Sequence, residues 1–97
     1  MTDILKITDD VLPKFPKHVK FKYNKPRDEW VILAPERLVK LDMIAVEILK
    51  LVDGVKTVKN ISNELSQKFK APEDIILKDV TDMLQDLSDK GFIEANG

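Results

Sequence analysis

The sequence has no cysteine and a single histidine, His18. Those absences exclude a disulfide framework, a thiolate zinc site, an iron–sulfur cluster, a thiol nucleophile and any multi-histidine metal centre. The three glycines, Gly54, Gly91 and Gly97, are too sparse for a Rossmann fingerprint or a phosphate-cradling loop. No cofactor and no metal ion is expected. The longest charge-free apolar run, Trp30 to Pro35, falls far short of the ~20 residues that cross a bilayer. The first ten residues carry acids and no apolar stretch, unlike a signal peptide. A soluble cytoplasmic protein with no membrane partner is the expectation.

What is present is charge. Of 97 residues, 34% are charged and 43% hydrophobic, enough for one modest core in one domain. The net charge of −1 gives no global attraction to nucleic acid. It conceals a division: residues 1–41 sum to +3 and residues 42–97 to −4. Lys14 to Arg27 holds six basic residues and no acid.

Pro13, Pro16 and the lack of any sustained period make residues 1–17 an N-terminal arm or extended lead-in. The single domain is then 18–97. Val19, Phe21 and Tyr23 alternate with polar residues as a half-buried strand does. Asn24 to Asp28 is turn chemistry around Pro26. Glu29 to Ala34 is a second strand ended by Pro35, and Arg37 to Leu41 a short third. The period then becomes helical. Asp42 caps a first helix with Ile44, Ala45, Ile48, Leu51 and Val52 inward and Gly54 as its left-handed terminator. Thr57 caps a second, whose stripe is Val58, Ile61, Leu65 and Phe69. Pro72 opens a third, with core residues Ile76, Val80, Met83 and Leu87, that stops at Lys90-Gly91. The class is α+β: a three-stranded antiparallel β-meander followed by three helices, winged helix-turn-helix-like.

Chemistry finds little support. His18 has no partner histidine, and Ser62, Ser66 and Ser88 stand in no nucleophile motif. No catalytic residue is expected, and the protein is read as a non-enzyme. A winged helix-turn-helix invites a transcriptional regulator, but residues 72–90 carry six acids and two lysines. A helix at −4 repels phosphates. Nucleic acid is not an expected partner.

One feature of the third helix exceeds a narrow core stripe. With Ile76 at zero on a wheel, Leu84 and Leu77 fall about 80° and 100° to one side, with Thr81 beyond. This shoulder is either a wide core stripe or one wall of a groove whose other wall is the third strand. A short edge strand with unpaired N–H and C=O groups accepts an added strand from another chain.

Tyr23 with Arg27 and Trp30, Ile32-Leu-Ala-Pro-Glu-Arg37, Leu41-Asp42, Ile48-Leu49, Asp53-Gly54, Thr57-Val58 with Ile61 and Leu65, Ala71-Pro72, Asp79-Val80 and Lys90-Gly91 form an ordered series. It resembles the pyrroloquinoline quinone (PQQ) biosynthesis protein D family, PqqD, from about 17 to 93. Val52 and His18 stand where members often have Cys and Gly. The resemblance implies a non-enzymatic peptide chaperone, a leader-peptide recognition element. It implies binding of a ribosomal precursor peptide on the third strand and third helix, in a ternary complex with a radical S-adenosylmethionine enzyme that cross-links a Glu and a Tyr of the peptide. Carried over by position, the strand contributes Leu38, Val39, Lys40 and Leu41. The wheel adds Leu77, Thr81, Leu84 and Gln85 on the helix. The alternatives are recognition of another pathway's leader peptide and a small winged-helix transcriptional regulator. A monomer is expected, with 1–17 the segment that a dimer would exchange.

Overall fold

The computed structural model describes residues 6–96. Its elements are β1 (Pro13–Lys14), β2 (Lys20–Asn24), β3 (Glu29–Ala34), β4 (Arg37–Lys40), α1 (Met43–Leu49), α2 (Val58–Phe69), α3 (Glu73–Asp89) and β5 (Glu94–Ala95). The α+β reading holds. Strands β2, β3 and β4 form an antiparallel meander in that order, and the three helices follow. β4 corresponds to the expected third strand.

Two turns build the meander. Lys25–Arg27 is a single 3-10 turn around Pro26, closed by Asp28 in the left-handed region at φ 53°. The Tyr23 hydroxyl donates to the Asp28 carboxylate across it. Between β3 and β4 only Pro35 and Glu36 intervene, with Ala34 opposite Arg37. The register places Phe21 against Ile32 and Tyr23 against Trp30, so these four side chains share one face. Phe15, Phe21 and Trp30 stack in succession at 5.8 and 4.9 Å between ring centroids, with Tyr23 5.5 Å from Trp30. Ile32 continues that face into the main core, where it joins Val58, Ile61 and Leu65 of α2 and Val80, Leu84 and Leu87 of α3.

Each helix starts where its cap dictates. The Asp42 carboxylate accepts the Ala45 N–H at 2.8 Å. Thr57 and Asn60 form a reciprocal capping box, the Thr57 hydroxyl accepting the Asn60 N–H and the Asn60 amide oxygen accepting the Thr57 N–H. At the far end of α3 the Phe92 N–H reaches the Leu87 carbonyl and the Gly91 N–H reaches that of Ser88. That Schellman pattern needs the left-handed Gly91, at φ 83°, and seats Phe92 in the core. α1 ends earlier than its apolar period suggests. Leu51 and Val52 lie beyond it in turns bonded to Ile48 and Leu49. Gly54 is therefore not its terminator. It sits at φ 80° with its N–H on the Pro13 carbonyl, where an added Cβ would meet Asn96 at 3.3 Å and Lys14 at 3.4 Å.

From Ile7 onward the lead-in is extended but held to the rest of the chain. Ile7 is 3% exposed, and Pro13 and Pro16 are buried. β1 pairs antiparallel with β5, Pro13 against Ala95. The Val58 and Lys59 amides donate to the carbonyls of Val11 and Asp9 at 2.9 Å each. Those are first-turn amides of α2, with no partner inside the helix. Lead-in and capping box together satisfy them. Residues 6–17 thus pack as part of the folded domain rather than beside it, while residues 1–5 of the expected arm lie outside the described residues.

Candidate functional site

β4 is the outer strand of the meander, and among the described residues no strand pairs with its free edge. The Leu41 N–H donates to the Trp30 carbonyl at 3.1 Å. Hydrogen-bonded and non-bonded pairs alternate along an antiparallel ladder. Val39 and Arg37 therefore also turn their backbone groups toward β3, while Leu38 and Lys40 direct N–H and C=O outward. The expected strand residues divide accordingly. Val39 and Leu41 are half-buried and pack their side chains on the core. Leu38 and Lys40 are exposed and present the free edge.

On α3 the expected helix residues also divide. Leu77 and Thr81 are half-buried at the margin of the core face. Leu84 is 0% exposed, one of the largest fully buried side chains, so it is core and not a groove wall. The buried residues Val80, Leu84 and Leu87 centre roughly 45° around the helix from Ile76, so the inward direction is rotated toward Leu84. Gln85 is taken as well: its side-chain carbonyl accepts the Ile7 N–H at 2.8 Å, and its amide donates to Asp89 at 2.9 Å. The lead-in covers that flank.

The opposite flank of α3 is open. Ile76 and Asp79 border an apolar cavity of about 240 Å³, with Ile44 and Ile48 of α1 and Leu65 and Phe69 of α2 as its other walls and Val80 beneath. Its rim is unusually apolar for a surface. Ile44 is 68% and Phe69 51% exposed, although the sequence period places both inward, and Ile75 and Met43 are exposed nearby. Sequence reasoning missed this cavity, yet a signal existed. Ile75, Ile76 and Leu77 are consecutive, and three successive helical positions span about 200°, too wide for one buried stripe. Asp79 is the only charged residue of the lining. Lys78, its neighbour, bonds Asp82 at 2.9 Å, and that pairing raises the lysine pKa above its usual value.

An open-edged antiparallel meander followed by three helices is an architecture that this chain shares with a solved ribosomal-peptide recognition element. The chain is similar to the solution structure of the PqqD truncation of Methylobacterium extorquens PqqCD, described as a functional, stand-alone recognition element of that kind. The TM-score is 0.78 and the identity 39%, over 91% of this chain and 94% of that one. The model of the Coenzyme PQQ synthesis protein D (PqqD) family matches residues 29–93, and the chain belongs to that family. It is 47% identical to the PqqA binding protein of Bradyrhizobium diazoefficiens, over 92% of this chain and 86% of that protein. It is also 41% identical to the bifunctional coenzyme PQQ synthesis protein C/D of Methylorubrum extorquens, over 86% of this chain and 22% of that larger protein.

Proposed function

We propose that this protein binds the PqqA precursor peptide of PQQ biosynthesis as a strand added to the free edge of β4. It then presents the peptide to a radical S-adenosylmethionine enzyme, in a ternary complex, for Glu–Tyr cross-linking. The observation that carries the reading is the outward backbone of Leu38 and Lys40, in a chain 47% identical to a protein named for PqqA binding. Edge pairing supplies affinity through main-chain hydrogen bonds, and adjoining pockets supply selectivity. The protein's part is conformational. Ordering a flexible peptide costs roughly 2–5 kcal/mol, and a groove that meets this cost relieves the enzyme of it. Association with other proteins of the pathway is also supported by the fused C/D relative.

Replacement Lys40→Pro tests the edge. It removes one outward donor and leaves the bonds of Val39 and Leu41 to β3 in place. The folded variant should bind a labelled PqqA peptide more weakly than wild type, and adding wild type should raise cross-linking by the radical enzyme. Equal affinity of the folded proline variant would overturn strand addition. Full cross-linking without the protein, or product formed without the enzyme, would overturn the chaperone role.

A further inference from the structure

We infer that the cavity between α1, α2 and α3 is the anchor site for the same peptide: it takes one large aliphatic or aromatic side chain, and Asp79 at its rim pairs with a lysine or arginine a few residues away. The inference rests on the peptide reading above and adds what the peptide must carry.

Position supports it first. Ile44, on the cavity wall, stands four residues beyond Lys40, the last residue of the open edge. A peptide paired with β4 and running on past Lys40 covers that separation with about four residues at ~3.3 Å each. The walls support it next. A continuous apolar rim around a concave, pre-formed cavity is the form of a binding site rather than of ordinary surface. Ile44 and Phe69 remain largely exposed there although helix periodicity could have turned other residues outward.

Charge decides the chemistry of the occupant. α3 with its C-cap residue Lys90 carries six acids against two lysines. Both lysines are engaged along the helix, Lys78 with Asp82 at 2.9 Å and Lys90 with Asp86 at 3.0 Å. Asp79 makes no hydrogen bond or ion pair among the described residues. It feels only the charge of neighbouring Lys78, whose ammonium is held by Asp82, and it alone of the acids lines the cavity. An acidic segment entering here would be repelled by α3 along its length. A basic one gains a partner beside a surface of low dielectric, where an ion pair is screened less than in open water. The occupant is thus an apolar anchor with a cation close by. A second copy of this chain is the competing occupant and is distinguished below.

The test uses the whole protein and a labelled PqqA peptide, titrated with wild type, Ile44→Ser, Asp79→Asn and Lys40→Pro. Positions 44 and 79 are exposed, so both side-chain variants retain the fold, checked by circular dichroism. Ile44→Ser should weaken binding tenfold or more. Asp79→Asn should weaken it several-fold at low salt, with the difference shrinking at high salt. Neutralising the peptide's basic residues one at a time should identify one whose loss abolishes the sensitivity to Asp79→Asn. If wild type binds and Lys40→Pro weakens binding, but Ile44→Ser and Asp79→Asn bind like wild type, the anchor site is overturned while strand addition stands. No binding by wild type overturns the function itself. A peptide-free dimer in sedimentation that Ile44→Ser converts to monomer would assign the cavity to a second copy instead.

Discussion

Asp53 shows how much one side chain settles in this chain. A single carboxylate oxygen accepts the N–H groups of both Val55 and Lys56 at 2.9 Å, and its other oxygen faces the Lys56 ammonium at 3.2 Å. Those backbone bonds, with the lysine, hold its pKa down at about 2, from 3.8 in the unfolded reference. A carboxylate whose pKa is depressed on folding stabilises the fold above its unfolded pKa and loses that effect as pH falls through the folded value. Wild type should therefore be more stable than Asp53→Ala at neutral pH. The difference should shrink from about pH 4 downward toward pH 2, read from urea denaturation across that range. Leu84 is the residue where a helical wheel misleads. Its period is right and its phase is not, because the inward direction of α3 is set by what α2 and the sheet present. Leu84→Ala should cost about 2–5 kcal/mol of folding stability, as a filled core position does. The variant that stays folded should keep its affinity for the peptide. A loss of affinity without a loss of stability would return Leu84 to the groove.

Elements bounded by local chemistry were legible in the sequence. Asp42, Thr57 and the Lys90-Gly91-Phe92 stop each act within a few residues, and the helices begin and end there. The meander was legible for the same reason, since alternation and the Pro26 and Pro35 turns are short-range. What could not be read was the lead-in. Its prolines and lack of period say only that the backbone is extended. Its partners are the amides of Val58 and Lys59, the Gln85 side chain and the β5 strand, 47 to 82 residues away along the chain. No local pattern encodes a bond of that separation. The open flank of α3 stayed hidden for a related cause, since the lead-in decides which flank is covered. Deleting residues 1–11 should expose the Ile7 site and strip two first-turn amides of α2 of their acceptors. The expected cost is ~3–6 kcal/mol, combining one buried aliphatic side chain with three hydrogen bonds, the third being that of the Ile7 N–H to Gln85. That is a large share of the stability of a domain this small. A truncated chain with an unchanged unfolding midpoint would show that the lead-in merely lies on the surface.

At the scale of the molecule, charge separates the two functions its fold could suggest. The sheet brings Lys20, Lys22, Arg37 and Lys40 to exposed strand positions. In α3, the helix that would enter a major groove, Asp82 and Asp86 hold Lys78 and the C-cap Lys90. Phosphate contacts dominate the affinity of a helix for duplex DNA, and this one would meet the backbone with net negative charge. A labelled duplex should stay unbound at physiological salt and at protein concentrations that saturate with peptide. A tight, salt-sensitive DNA complex would reopen the regulator reading. Family membership was legible because its motifs lie mostly in turns and caps, which the fold holds in order. The peptide's side of the site was not, because the cavity is assembled from three helices whose relative placement no single stretch of sequence specifies.

The pairing of Pro13 with Ala95 has a topological consequence. Bonded across β1 and β5, the chain between those residues is a loop with a seam, and β4 lies in the other sheet, away from that seam. In such a loop the position of the termini is a matter of where the seam is cut. A covalent link from the end of β5 back to the lead-in, with a new opening in the exposed Lys25–Arg27 turn, rewrites the order of the elements without changing their neighbours. Such a circular permutant keeps the free edge of β4 while moving both ends of the chain to the turn between β2 and β3.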